Sequence, residues 1–223
     1  MGHACPLCRG RLVWFATVAD GPARDGRTLD FLDCPTCRLV VRDPAVWLWP
    51  GAEVSHYRLH ENHADDPGYR RFLAPAFAHL ADVLNPGVRA LDYGCGPDSA
   101  LIAMARERGV EMNGWDPLFH PDSSALDAGP FDVVTCTETV EHLHRPAAVF
   151  ERFERLLRPG GRLILQTGFV PERTDFDAWH YRRDPTHVIL FRAETFRWLA
   201  DARGWRVVAL EAPVAVFAMP PTP

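Results

Sequence analysis

Two glycines one residue apart, in the stretch LDYGCGPDSAL at residues 91–101, constrain this chain more than any other feature. Residues 89–93 read as a short strand, and residues 99–109 read as a helix with Leu101, Ile102 and Ala105 on one face. The backbone between them must turn sharply. Gly94 and Gly96 supply the positive φ and the close ligand approach that such a turn needs. Asp92, in the strand, stands where its carboxylate can accept hydrogen bonds from the turn or from a ligand. The stretch is a candidate ligand-binding loop at a strand-to-helix junction.

At 223 residues the chain is long enough for one full-sized domain and a small appendage. Net charge is −5 and all 24 basic residues are arginine, with no basic face beyond the local pair Arg182 and Arg183, which speaks against a nucleic-acid partner. No apolar run reaches the length of a membrane span. The first residues lack the charged and apolar regions of a signal peptide, and the cysteines come as spaced pairs. Together these features predict a reducing, cytoplasmic setting with no disulfides.

Cys5-x-x-Cys8 and Cys34-x-x-Cys37 form two knuckles. Between them lie strand-like runs at residues 11–18 and 28–32, joined by a Gly/Asp-rich turn at 20–26. Knuckles at the two ends of a hairpin bring four thiolates to one tetrahedral point, the arrangement Zn²⁺ prefers. A segment this short has little core of its own, so a metal here is structural and supplies folding energy. Residues 1–45 are therefore expected to be a zinc ribbon. Residues 46–85 read as a linker and a first helix, with Asp66 as N-cap, Pro67 at the first helical position and Pro75 as a kink point. Tyr69, Phe72, Leu73, Phe77 and Leu80 recur at helical spacing. Ahead of that helix Tyr57, His60, Asn62 and His63 are either surface groups or groups that close a pocket.

After the glycine turn and its helix, residues 111–115 read as a second strand that ends in Asp116, placed to bind a ribose hydroxyl pair in a doubly wound fold. Three further features are specific. The loop has Ser99 where a dinucleotide fingerprint needs a third glycine, Phe131-Asp132-Val133-Val134 opens another strand, and Arg158-Pro159-Gly160-Gly161 precedes a strand at 163–166. In that combination the sequence resembles the class I S-adenosylmethionine-dependent methyltransferases over about residues 70–215. The resemblance implies a Rossmann-like α/β domain at 86–219 whose sheet finishes in an antiparallel hairpin. It implies that Asp92, Tyr93, Gly94, Cys95 and Gly96 cradle the methionine part of the cofactor, and that Asp116 and Pro117 hold its ribose end. Thr137 and Glu138 would then approach the donor methyl. Asp98 stands where the family often has glycine. Only residues 117–130 separate the second strand from Phe131, so the third strand, which lies at the sheet edge, is expected to be short or absent.

The segment TETVEHL at 137–143 places Glu138, Glu141 and His142 at the carboxyl end of a parallel strand, where open α/β sheets bind ligands. Two carboxylates and an imidazole suit Mg²⁺ or another divalent cation. His187 is a candidate fourth ligand. Glu-x-x-Glu-His with a later histidine is similar to the pattern of two groups of O-methyltransferases, the ubiquinone-pathway catechol enzymes and the small-RNA ribose 2′-O enzymes. That resemblance implies a cation that chelates adjacent hydroxyls of the acceptor. A histidine after this strand also serves as a general base in enzymes that use no metal. The insert at 169–191 carries Trp179, His180, Tyr181, Arg182 and Arg183, which form either a lid on a planar acceptor or the packing base of a long connection.

The function expected from these readings is S-adenosylmethionine-dependent O-methylation of a small molecule with adjacent hydroxyls. Sugar C-methylation ranks lower, because those enzymes also carry a zinc ribbon but add a C-terminal domain absent from these 223 residues. RNA ribose methylation needs a basic groove near Arg182 and Arg183. A non-catalytic adaptor, in which the ribbon docks a partner, is the alternative from outside enzymology.

Overall fold

The computed structural model describes residues 3–19, 28–57 and 63–221. The turn expected at 20–26, together with His60 and Asn62, lies outside them. Three antiparallel strands, β1 (Val13–Ala19), β2 (Thr28–Asp33) and β3 (Val40–Arg42), form the cysteine ribbon. Two helices follow, α1 (Pro50–Tyr57) and α2 (Pro67–Ala81). The main domain then alternates β4 (Ala90–Tyr93), α3 (Ala100–Arg106), β5 (Met112–Trp115), α4 (Ser124–Asp127), β6 (Phe131–Thr137), α5 (Pro146–Leu156) and β7 (Leu157–Gln166). It closes with β8 (Ile189–Leu190), α6 (Ala193–Arg203), β9 (Arg206–Glu211) and β10 (Val214–Ala218).

The main sheet has the order β5-β4-β6-β7-β10-β9. Its first four strands are parallel, and β10 runs antiparallel to both β7 and β9. This is the Rossmann-like sheet with a terminal antiparallel hairpin that the resemblance implies. All four residues of β4 are buried, because helices cover both faces of a parallel sheet and leave no solvent side to alternate toward. Residues 117–130 hold only α4, so β5 is the sheet edge and the third strand is absent, as the short spacing required.

On one face α5 and α6 bury Phe150, Phe153, Phe196 and Leu199 against Phe131, Leu163, Leu165 and Phe217. Each such side chain contributes roughly 1.5–3 kcal/mol by leaving water. On the other face Ala76 and Leu80 of α2 meet Val133, Ile164 and Val216. Pro75 has no N–H to give the helical ladder, and Gln166 at the end of β7 enters the gap beside it. The Gln166 Nε2 donates to the Phe72 carbonyl at 3.0 Å while its Oε1 accepts from the Ala76 amide at 3.3 Å.

The ribbon is joined to the main domain by backbone pairing. Val40 and Val41 pair antiparallel with Leu190 and Ile189, which makes β8 the fourth strand of the ribbon sheet. Cys5, Cys34 and Cys37 share one apolar cluster with Phe191 and Phe196. The insert at 169–191 is the packing base of this junction rather than a loose lid. Phe176 is fully buried, with its ring 5.1 Å from both Phe15 and Phe31 of the ribbon.

Candidate active site

The glycine loop closes one end of a cavity of about 700 Å³. Gly94 and Gly96 adopt φ of +75° and +65°. A Cβ on Gly94 would lie 2.5 Å from Thr139 Oγ1, and that hydroxyl donates to the Gly94 carbonyl at 3.3 Å, so the loop is pressed against the chain that leaves β6. Asp116 is nearly buried. Its carboxylate accepts from the amides of Leu118 at 2.8 Å, Phe119 at 3.1 Å and Gly96 at 3.1 Å, so one side chain ties the end of β5 to the loop. Beside it the indole N–H of Trp115 is buried at the cavity wall with no acceptor among the described residues.

Tyr93, Gly94, Cys95, Gly96, Asp116, Pro117 and Thr137 all line the cavity, as does Asp98, whose carboxylate accepts from the Ala64 amide at 2.8 Å. Asp92 does not line it. Its two oxygens accept from Ser99 and Thr135 hydroxyls, both at 2.6 Å, and Ser99 in turn caps α3 by accepting from the Ile102 amide. Burial pushes the Asp92 carboxyl up, and the two hydroxyls oppose that shift. Asp92 therefore supports the loop from behind.

The other half of the cavity is built from the chain after β6, the 181–187 loop and two helices. Glu138 holds φ of +47°, a left-handed conformation that costs a non-glycine residue roughly 1–2 kcal/mol. Its amide donates to the Gln166 carbonyl at 2.8 Å, which keeps the turn in place. A 3₁₀ turn at Val140–His142 then points Glu141 inward, where it is fully buried. The Thr167 hydroxyl donates to Glu141 Oε2 at 2.9 Å, and the Tyr181 hydroxyl donates to Glu141 Oε1. Tyr181 also lies 3.1 Å from Glu138 Oε2, so Glu138 and Glu141 meet through one phenol. Burial and the neighbouring Glu141 charge push the Glu138 carboxyl up to about 9.

His142 and His187 complete the cluster. Each imidazole Nδ1 lies against a carbonyl, that of Thr186 at 3.0 Å and that of Tyr181 at 2.7 Å respectively. A carbonyl only accepts, so both Nδ1 atoms carry a proton, and each ring, when neutral, presents the lone pair of its Nε2. Burial lowers the His187 pKa to about 4, which keeps this imidazole neutral. The two Nε2 atoms lie 3.9 and 4.0 Å from Glu141 Oε1. Those distances are too long for hydrogen bonds, and one ligand atom from each of the three residues lies within 4.8 Å of the other two, a spacing that could hold one ion. Glu138 stands outside this group of three.

Helix α1 covers the acceptor side. His56 Nε2 lies 3.3 Å from Asp184 Oδ1, His144 Nε2 lies 3.5 Å from Glu53 Oε1, and the Tyr57 ring meets His142 edge-on at 5.1 Å. Glu53, Val54 and Tyr57 thus become cavity wall, together with Tyr69 and Phe72 from the first turns of α2. Helical spacing assigns Tyr69 and Phe72 only to a packing stripe. Of the two alternatives for Tyr57, surface or pocket, its place in the cavity wall supports the second; the local sequence gives no such signal for Glu53 and Val54, and Tyr181 is legible only as one aromatic of the insert.

The cysteine knuckles are near copies of each other. In each, the residue after the second cysteine, Arg9 or Arg38, has φ of +63° and returns its amide to the carbonyl of the first cysteine, at 2.9 and 2.7 Å. Sγ atoms of Cys5 and Cys37 are 3.5 Å apart, and those of Cys8 and Cys34 are 3.4 Å apart. All four cysteines are free thiols whose Sγ atoms lie within 4.8 Å of one another, a four-thiol site able to hold zinc.

Residues 63–210 match the family model described as a methyltransferase domain. The ubiquinone biosynthesis O-methyltransferase of Psychrobacter cryohalolentis is 31% identical over 140 residues, covering 52% of this chain and 53% of that protein. The enzyme of the same description from Xanthomonas oryzae is 35% identical over 103 residues, covering 36% of this chain and 43% of that protein. The chain thus spans about half the length, or less, of the curated relatives it matches. Among solved structures, the 1,6-didemethyltoxoflavin-N1-methyltransferase of Burkholderia thailandensis, with bound S-adenosylhomocysteine, shares the fold at a TM-score of 0.52 and 16% identity. It covers 91% of this chain and 100% of its own. Magnesium protoporphyrin IX methyltransferase from Synechocystis gives a TM-score of 0.51 at 15% identity, over 75% of this chain and 94% of its own. With the family match running from before α2 into β9 across the whole glycine loop, this chain belongs to the methyltransferase-domain family.

Proposed function

We propose that this chain is an S-adenosylmethionine-dependent O-methyltransferase for a small acceptor with adjacent hydroxyls, assisted by a divalent cation at Glu141, His142 and His187. The observation that carries this reading is that Glu141, His142 and His187 each bring one ligand atom within 4.8 Å of the other two, with both histidines on the wall of the cavity that holds the glycine loop and Glu141 buried behind them. Buried carboxylates are ordinarily paired with a cation or coordinate a metal. The names of the curated relatives, ubiquinone biosynthesis O-methyltransferases, support transfer of the methyl group to oxygen.

S-adenosylmethionine supplies an electrophilic methyl group on a sulfonium. The chain's own residues fit that ligand. Three of the roughly four lone-pair positions on Asp116 hold amides, and the remaining capacity faces the cavity as a ribose acceptor. The buried Trp115 N–H is a donor awaiting an acceptor. At the opposite end Nε2 of His142 and His187 can receive a cation or a hydroxyl proton. A bound cation there would lower the pKa of an acceptor hydroxyl and orient it, combining activation with proximity. The four thiolates of Cys5, Cys8, Cys34 and Cys37 would hold a structural Zn²⁺, a group separate from the three residues proposed for the cation.

A small, uncharged acceptor fits better than RNA or a nucleotide sugar. The described residues lining the cavity include Glu53, Asp98, Asp116 and Asp184 but no arginine, so a phosphate would meet a negative wall. Arg182 is buried and donates to the carbonyls of Phe176 and Asp177, which removes it from any basic groove. The test is to measure bound divalent metal and methyl transfer to catechol in wild-type, Glu141→Gln and His187→Ala proteins. Loss of both in the variants supports the cation site, whereas unchanged metal content and activity overturn it.

A further inference from the structure

We propose that Arg42, contributed by the cysteine ribbon, is a positioning residue that sets the orientation of both imidazoles in the site. This rests on the reading that His142 and His187 face the acceptor. Arg42 ends β3 and is 3% exposed. Its Nε donates to the His187 carbonyl at 3.2 Å, and its Nη2 donates to the carbonyls of Arg182 at 2.7 Å and Asp184 at 2.5 Å. Its backbone amide donates to the Val188 carbonyl at 3.0 Å. One guanidinium and one amide therefore gather four carbonyls of a single loop.

The same loop fixes the two rings. The Tyr181 carbonyl takes the Nδ1 proton of His187 and the Thr186 carbonyl takes that of His142. The Val188 amide donates to the Glu141 carbonyl at 3.0 Å, so the third member of the cluster is tied to the loop as well. Arg182 answers from the other side, with its Nη1 donating to the Ala19 carbonyl of β1 at 3.3 Å. A buried cation is costly, and an apolar side chain of similar volume often serves stability as well or better. What an apolar residue lacks is the planar fork of donors that holds several carbonyls at fixed angles, and lysine lacks it too. On this account the ribbon is the rigid back wall of the active site, and Arg42 is the group through which it acts.

The test uses the full chain, zinc-loaded and labelled with ¹⁵N at histidine. Long-range proton–nitrogen spectra report the tautomer of each ring. Wild type is expected to show His142 and His187 locked in the Nδ1–H form. In Arg42→Leu and Arg42→Lys both rings should drift toward the Nε2–H form that free imidazole prefers. Zinc content should stay at the wild-type ratio, and S-adenosylhomocysteine affinity should stay within about threefold, about 0.65 kcal/mol. The kcat for methyl transfer should fall by about tenfold or more with KM for S-adenosylmethionine unchanged. Locked Nδ1–H rings in a folded, zinc-replete Arg42→Leu protein overturn the proposal. Where the leucine variant does not fold, the same result in Arg42→Lys does so. Absence of methyl transfer by wild type counts against the functional reading alone, because the spectra still decide the role of Arg42.

Discussion

Tyr181 gives its single hydroxyl proton to Glu141, the carboxylate at the centre of the cluster, and its oxygen lies within hydrogen-bond reach of Glu138 as well. One proton cannot serve two carboxylates, so Glu138 satisfies the contact by keeping its own proton, in line with its raised pKa. Tyr181→Phe removes the donor and leaves Glu141 Oε1 buried without it. The expected cost is about 1.5–3 kcal/mol, the usual worth of a hydrogen bond to a charged group. Urea denaturation of wild type and variant measures it.

The glycine loop yields a contrast between two substitutions. Gly96→Ala meets open space and costs only the left-handed conformation, about 1–2 kcal/mol. Gly94→Ala adds a collision with the Thr139 side chain, so a further 1–3 kcal/mol, roughly, is expected from overpacking. Equilibrium unfolding of both variants should place Gly94→Ala well below Gly96→Ala, and equal losses would show that the loop is not pressed against Thr139.

Asp116 links the loop to β5 through three amides. Asp116→Ala should weaken S-adenosylhomocysteine binding by about tenfold or more, because it removes the ribose acceptor proposed here and releases the loop together. Isothermal titration measures this directly.

The ribbon cysteines share one apolar cluster with Phe191 and Phe196. Purified protein is expected to carry one zinc in its four-thiol site. Chelation, or Cys34→Ser, should lower the melting temperature of the main sheet as well as that of the ribbon, since the metal's binding energy is folding energy. Calorimetry that finds the main transition unmoved would separate the two parts.

Features carried by short, local spacings were legible in the sequence. Two Cys-x-x-Cys knuckles, Gly94 with Gly96, Asp116 at a strand end and the Glu-x-x-Glu-His turn each follow from local geometry. The missing third strand could be read from the brevity of residues 117–130. What escaped is long-range. β8 is two residues long and joins β3 across most of the chain, so no periodicity marks it. Arg42, Tyr181 and Glu53 acquire their roles from the surfaces that enclose them, and Asp92 turns away from the cavity because the Ser99 and Thr135 hydroxyls take its oxygens. Glu138 was legible as a carboxylate at this turn but not its separation from the group of three: its φ is positive, and it meets Glu141 through the Tyr181 hydroxyl.

The most direct measurement is incubation of the protein with methyl-labelled S-adenosylmethionine and catechol, with and without Mg²⁺, followed by mass spectrometry of the products. The expected result is a single labelled methyl on a catechol oxygen that depends on the divalent cation and disappears in His187→Ala. Unlabelled catechol, from a protein that calorimetry shows to bind S-adenosylmethionine, would contradict it.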